Sequence, residues 1–160
     1  MKKLLIVLAL AAILTTGTAF ADHPDGWGIG IFGVIDETSR SDVVLSVHIP
    51  RVPVFWAVKA GGFDGNPSLI FTGDFYLLDR VLVNGWLHGY FGLGGYSCIG
   101  FGDTFGLSAG GRFPVGLSFQ PVSLLEFFVE VSPSIGFGIL PDPVSLHWGI
   151  GGDLGIRFWF

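Results

Sequence analysis

Charge is scarce in this chain. Only 13% of its residues are Asp, Glu, Lys or Arg, where a typical soluble protein has about 25%. A surface drawn from so few ions falls short of the roughly quarter to third that keeps a soluble domain dispersed. The ions present are mostly acidic, giving a net charge of −5, which argues against nucleic acid or anionic lipid as the main partner. Cysteine is nearly absent too. The single Cys98 excludes an intrachain disulfide framework. No apolar run is long enough for a helix to cross a bilayer; the one from Leu4 to Leu14 is about half the required length. The 26 glycines and 9 prolines disfavour helices altogether. What the chain does have is grease: half of it is hydrophobic and 15% is aromatic. If such a chain enters a membrane, it must do so as strands.

The amino-terminal segment explains its own apolar run. Lys2 and Lys3 precede it, small residues follow it, and Ala19-Phe20-Ala21 forms an A-x-A cleavage site before Asp22. This pattern predicts a secretory signal peptide over residues 1–21 and export through the Sec pathway. No Cys follows the small residues, so a lipid-modified terminus is not expected. Residues 22–160 have the length of one domain and contain no linker, low-complexity segment or charge run.

Period two dominates that domain. In "FGLSAGGRFPVGLSF", residues 105–119, Phe105, Leu107, Ala109, Phe113, Val115, Leu117 and Phe119 alternate with Gly106, Ser108, Gly110, Arg112, Pro114, Gly116 and Ser118. Similar alternation runs through 43–49, 54–61, 69–77, 87–94 and 125–137. With Trp27, Ile29 and Ile31 at one end and residues 146–160 at the other, eight strands are predicted. The stretches "DETSR", "PRVP", "GFDGNPS", "LDRVLVNG", "CIGFGD", "QPVS" and "LPDP" read as the connections. Each strand has room for the roughly 9–11 residues that a tilted strand needs to cross a bilayer. An even number also suits a bacterial barrel. The expected fold is all-β, an eight-stranded antiparallel up-and-down transmembrane barrel.

Alternation alone does not say which face points outward. A soluble lipocalin-like carrier would put the apolar set inside, whereas an outer-membrane barrel puts it against lipid. The polar set decides, because it is mostly Gly and Ser, suited to a crowded lumen and too poor in charge for a wetted surface. The aromatics agree. Trp27, Trp56, Trp86, Phe119, Phe127, Phe158 and Phe160 are expected at the inner interface, and Phe105, Phe137 and Trp148 toward the outer one. On the last strand Trp148, Ile150, Gly152, Leu154, Ile156, Phe158 and Phe160 form one lipid-facing row. Outer-membrane lipid is thus the expected partner.

The inward set carries Lys59, Arg112 and Arg157 beside Asp74, Glu126, Glu130 and Asp153. Any of these buried alone would be costly, so an interior ion-pair network is expected. It would stabilise and plug the barrel; a charged, gated pore is the functional alternative. Glu126 and Glu130 lie about 13 Å apart on an extended strand, too far for retaining glycosidase geometry. His48 and His88 face inward without further ligand-type residues beside them, and His147 stands apart, so no metal site is expected. Ser132 and Ser134 have no His and Asp array. "GLGGYSCIGFG" lacks a following helix to bind phosphate. No catalytic residue, metal or cofactor is expected, nor a nucleic-acid partner.

The chain resembles the small eight-stranded outer-membrane barrels of the OmpA transmembrane domain and OmpX type. Through "GWGIGIFG", "PVFWAVKAGG", "TGDFYLLD", "LHGYFGLGGY", "GRFPVGLSFQP" and "LGIRFWF" it is more similar to a family of spirochaete outer-membrane barrels. The terminal Phe preceded by alternating hydrophobics resembles the signal read by the barrel assembly machinery, which implies that role for Trp148, Ile150, Leu154, Ile156, Phe158 and Phe160. Some relatives are porin-like and others bind host proteins through outer loops. No relative's functional residue has a matching motif here. The resemblance implies a surface protein with a structural or interaction role, or a narrow channel, rather than an enzyme.

Overall fold

The structure is a computed structural model that describes residues 24, 26–35, 43–61, 67–83, 85–141 and 143–160. The segment read as a signal peptide lies outside these. Strands cover β1 (Gly28–Ile35), β2 (Val43–His48), β3 (Phe55–Gly61), β4 (Ser68–Val83), β5 (Leu87–Phe101), β6 (Phe105–Arg112), β7 (Val115–Val122), β8 (Leu125–Leu140) and β9 (Ser145–Trp159). β6 and β7 are two halves of one strand, since both pair with β5 on one side and β8 on the other. The break falls at buried Pro114, which has no N–H for the ladder. Two hydrogen bonds hold the pairing across it, Phe113 N–H to Pro133 O (2.9 Å) and Gly92 N–H to Pro114 O (2.7 Å).

Every sequential pair is antiparallel, and β1 closes onto β9 over Gly28–Ile35 and Gly152–Trp159. With β6 and β7 counted as one, the ring has eight strands. Trp27 and Phe160 extend the seam with reciprocal backbone hydrogen bonds of 3.1 and 2.8 Å. The ladder is staggered. Partners followed from Val83 through Leu87, Phe119, Phe127, Ile156, Ile31, Leu45 and Val58 return to β4 at Phe71. From 83 to 71 is twelve residues, or ten without the bulge residues Leu77 and Leu82, which have no partner in the β4–β5 register. Such a stagger over eight strands sets a strand tilt of about 40°.

The two faces are opposite in character to those of a soluble protein. Val129, Leu154, Phe137 and Trp148 are exposed, the last at 79%, while Asp74, Asp79, Glu126, Glu130, Asp153 and Arg157 are buried. The apolar set therefore points outward and the polar set fills the lumen, which runs against a lipocalin-like carrier. The aromatics gather at the strand ends. Trp86 meets Phe119 edge-on at 5.4 Å, Phe119 stacks toward Phe127 at 6.3 Å, and at the opposite end Phe101 meets Phe105 at 6.3 Å.

Among the described residues the strands differ in length. β4, β5, β8 and β9 have 15 or 16 residues, but β1, β2 and β3 have 8, 6 and 7. Three stretches read as connections turn out to be largely strand, among them "QPVS", whose Gln120, Pro121 and Val122 end β7. "LDRVLVNG" continues β4 through Val83, and "CIGFGD" continues β5 through Phe101. The continuation of β4 was hidden by the bulge at Leu77, which shifts the alternation by one residue.

Candidate functional site

Three levels can be distinguished in the lumen, and the lowest is aromatic. Phe55 stacks on Tyr76 at 4.2 Å, and Tyr76 stacks on Tyr90 at 4.5 Å. His48 packs against Phe55 and Trp159, with its Nδ1 donating to the Gly26 carbonyl (2.9 Å). Arg157 lies within this column, its guanidinium 4.6 Å from the Phe55 ring centroid and 4.8 Å from that of Phe128. Arg157 Nη1 and Trp159 Nε1 both donate to Glu126 Oε2, at 3.0 and 2.8 Å. Glu126 is 0% exposed. Register explains the pairing, since Glu126 on β8 and Arg157 on β9 are direct cross-strand partners.

Arg112 is the hub of the middle level. Its Nη2 donates to Glu130 Oε1 (2.6 Å), Ser132 Oγ (2.7 Å) and Asp153 Oδ2 (3.3 Å). Its Nε lies 3.3 Å from Asp74 Oδ1. Ser132 Oγ also donates to Glu130 Oε1 (2.6 Å). One cation thus gathers carboxylates from β4, β8 and β9. The Asp74 contact depends on a glycine. Asp74, Gly94 and Arg112 are successive partners across β4, β5 and β6, and a Cβ at Gly94 would collide with Asp74 Oδ1 and approach Gly73 O to 2.7 Å. Gly94→Ala should therefore push Asp74 off Arg112 and lower stability by about 1–3 kcal/mol, as overpacking does. Urea unfolding of refolded barrels, in a cycle with Asp74→Ser, should find the two changes strongly non-additive.

The upper level is hollow. A cavity of about 330 Å³ is bounded on one side by Phe32, Val34, Val44 and Ile70, and on the other by Ser108, Ser132, Ser134, Tyr96 and His147. Lys59 and Cys98 are on its wall, and Arg112 and Asp153 at its base. Tyr96 reaches His147 Nε2 in a 2.8 Å hydrogen bond. It does so across Gly110 and Gly136, the residues between them in the ladder, where an added Cβ would meet the Tyr96 ring or hydroxyl.

Six of the seven charged residues expected to share the lumen meet in two groups, Arg112 with Asp74, Glu130 and Asp153, and Arg157 with Glu126. The seventh, Lys59, is placed on the cavity wall. Trp148, Ile150, Leu154, Ile156, Phe158 and Phe160 form an exposed outward row on and just beyond β9. Two contacts escaped the sequence reading. Asp79 Oδ1 lies 3.9 Å from His88 Nδ1, both buried, because the Leu77 bulge turns Asp79 inward. His147, read as isolated, is held by Tyr96. Among the described residues no group of three His, Cys, Asp or Glu could hold a metal ion.

A closed eight-stranded up-and-down antiparallel ring with a polar lumen and an apolar exterior has the fold of the small transmembrane barrels. The N-terminal β-barrel domain of Pseudomonas aeruginosa OprF superposes with a TM-score of 0.50 at 14% identity, covering 85% of this chain and 98% of that one. A de novo designed transmembrane β-barrel gives a TM-score of 0.49 at 15% identity, covering 88% of this chain and 100% of that one. At such identity the OprF likeness is one of fold alone. No protein-family model and no curated protein matches the sequence.

Proposed function

We propose that this chain is an integral outer-membrane protein whose lumen is kept shut by its ion pairs and aromatic column, serving a structural or surface-interaction role. The observation that carries this reading is Glu126, wholly buried at the lowest level of the lumen while bonded to Arg157 and Trp159. A water-filled pore at this level would leave these groups wet. Support for the membrane comes from the apolar exterior, which water would penalise and acyl chains would not. The outward row from Trp148 to Phe160 would serve as the segment that the barrel assembly machinery takes up. Contacts with host proteins would fall to the outer loops. Kinship with the spirochaete barrels is part of the same proposal.

Planar-bilayer recording on the refolded barrel tests the plug. The expected trace shows no steady conductance above that of the empty bilayer. Stable unitary steps would instead establish the narrow channel, for which the cavity above Arg112 would be the vestibule. The membrane face is tested separately. Val131, exposed near the middle of β8, should on replacement by Arg cost about 2–4 kcal/mol of stability in lipid vesicles, as cations do at the bilayer midplane. Equal stability of Val131→Arg and the parent barrel would contradict lipid contact there.

A further inference from the structure

A small void of about 20 Å³ adjoins the outer cavity and shares Phe32, Ala57, Thr72, Arg112 and Asp153 with it. That is room for one water molecule or one ammonium group. Among the residues bordering it, Ser46 Oγ and Thr72 Oγ1 are buried and make no hydrogen bond with any described residue, and Asp74 Oδ1 is buried 3.3 Å from Arg112 Nε without hydrogen-bond geometry, which leaves it free to accept from a ligand. Asp74 itself is only 7% exposed. Three acceptors match the three N–H donors of a primary ammonium.

Charge points the same way. Arg157 is matched by Glu126, but Arg112 faces Asp74, Glu130 and Asp153 together. Among the described residues lining the two spaces Lys59 is the one other cation, so the formal charges of Arg112, Lys59, Asp74, Glu130 and Asp153 sum to one negative. Uncompensated buried charge is costly, and a ligand bearing a single positive charge would remove it. Above the void, Val34, Val44 and Ile70 offer an apolar wall in a cavity of about 330 Å³. A dry cavity of about 150 Å³ already takes benzene, so a ring with a short tail fits.

We propose that the cavity binds a small primary amine with an apolar body. The ammonium sits among Ser46, Thr72 and Asp74, and the hydrocarbon lies against Val34, Val44 and Ile70. The proposal deepens the plugged-barrel reading, because the site needs a shut floor. The two can fail separately, one by conductance and the other by titration.

The test is an NMR titration of the isotope-labelled barrel in lipid nanodiscs with benzylamine, benzyl alcohol and benzoate, followed at the amides of Thr72, Asp74 and Gly151. Benzylamine should give saturable shifts, with both analogues bound about tenfold more weakly or worse, as loss of a charge-assisted hydrogen bond predicts. Asp74→Asn should weaken the amine about tenfold and leave the alcohol unchanged. Val44→Trp should abolish binding by filling the apolar side. Thr72→Val, which keeps the shape and removes one acceptor, serves if Asp74→Asn does not fold, and should also weaken the amine. Absence of saturation with benzylamine, as when the void holds only water, overturns the proposal. So does benzoate binding as tightly as the amine, or amine affinity indifferent to these changes.

Discussion

Replacing Arg112 by methionine should lower the unfolding free energy of the barrel by about 3–5 kcal/mol, the usual cost of breaking a buried ion pair from one side. The reason lies in what remains. Asp74, Glu130 and Asp153 would stay in the lumen without the cation that gathers them, and Ser132 would lose a donor at 2.7 Å. Arg112→Lys should recover little of the loss, because one ammonium cannot reproduce the planar fork that meets groups from separate strands. Urea titration followed by tryptophan fluorescence gives the number. A loss below about 1 kcal/mol, the range of an exposed pair, would mean that the carboxylates are already neutralised by other means.

Glu126→Leu should cost a similar amount, about 3–5 kcal/mol, for the opposite charge. Arg157 would be left among Phe55, Phe128 and Trp159 with ring faces but without Glu126, and the Trp159 Nε1 donor would lose its acceptor. Cation–π attraction of about 2 kcal/mol when desolvated offsets only part of this. Combining Glu126→Leu with Arg157→Met removes both charges and fills the space with hydrocarbon. That double variant should regain most of the lost stability, since buried ion pairs are often replaceable by apolar groups of similar volume. If the double variant is as unstable as either single one, shape rather than charge governs this level.

The contrast between the two levels marks what alternation along a strand does and does not encode. Alternation showed the eight strands and placed Arg112, Glu126, Glu130, Asp153 and Arg157 inward, because inward positions recur at period two whatever the neighbour is. It could not show which strand each would meet. Glu126 finds Arg157 through direct register, but Arg112 reaches Asp74 only because Gly94 between them has no side chain. Asp79 was missed for a local reason. The bulge at Leu77 changes the parity of β4, so the alternation ends there although the strand does not. The aromatic column was in plain view at the inward positions Phe55, Tyr76, Tyr90, Phe128 and Trp159. Expectation of a small-residue lumen hid it, and the glycines are what make room. The cavity had no sequence signal, since it depends on side chains from both walls stopping short of one another.

The length of β8 has a consequence for anything surrounding the barrel. At about 3.3 Å per residue and the tilt above, its 16 residues rise about 40 Å, where the hydrocarbon core of a bilayer is about 30 Å thick. Hydrocarbon side chains continue toward the top of this flank, where Phe105, Ile139 and Leu146 are exposed. A bilayer would have to swell beside β8 and β9, or the cylinder would have to lean, and either response would mark this flank for neighbouring lipids and proteins.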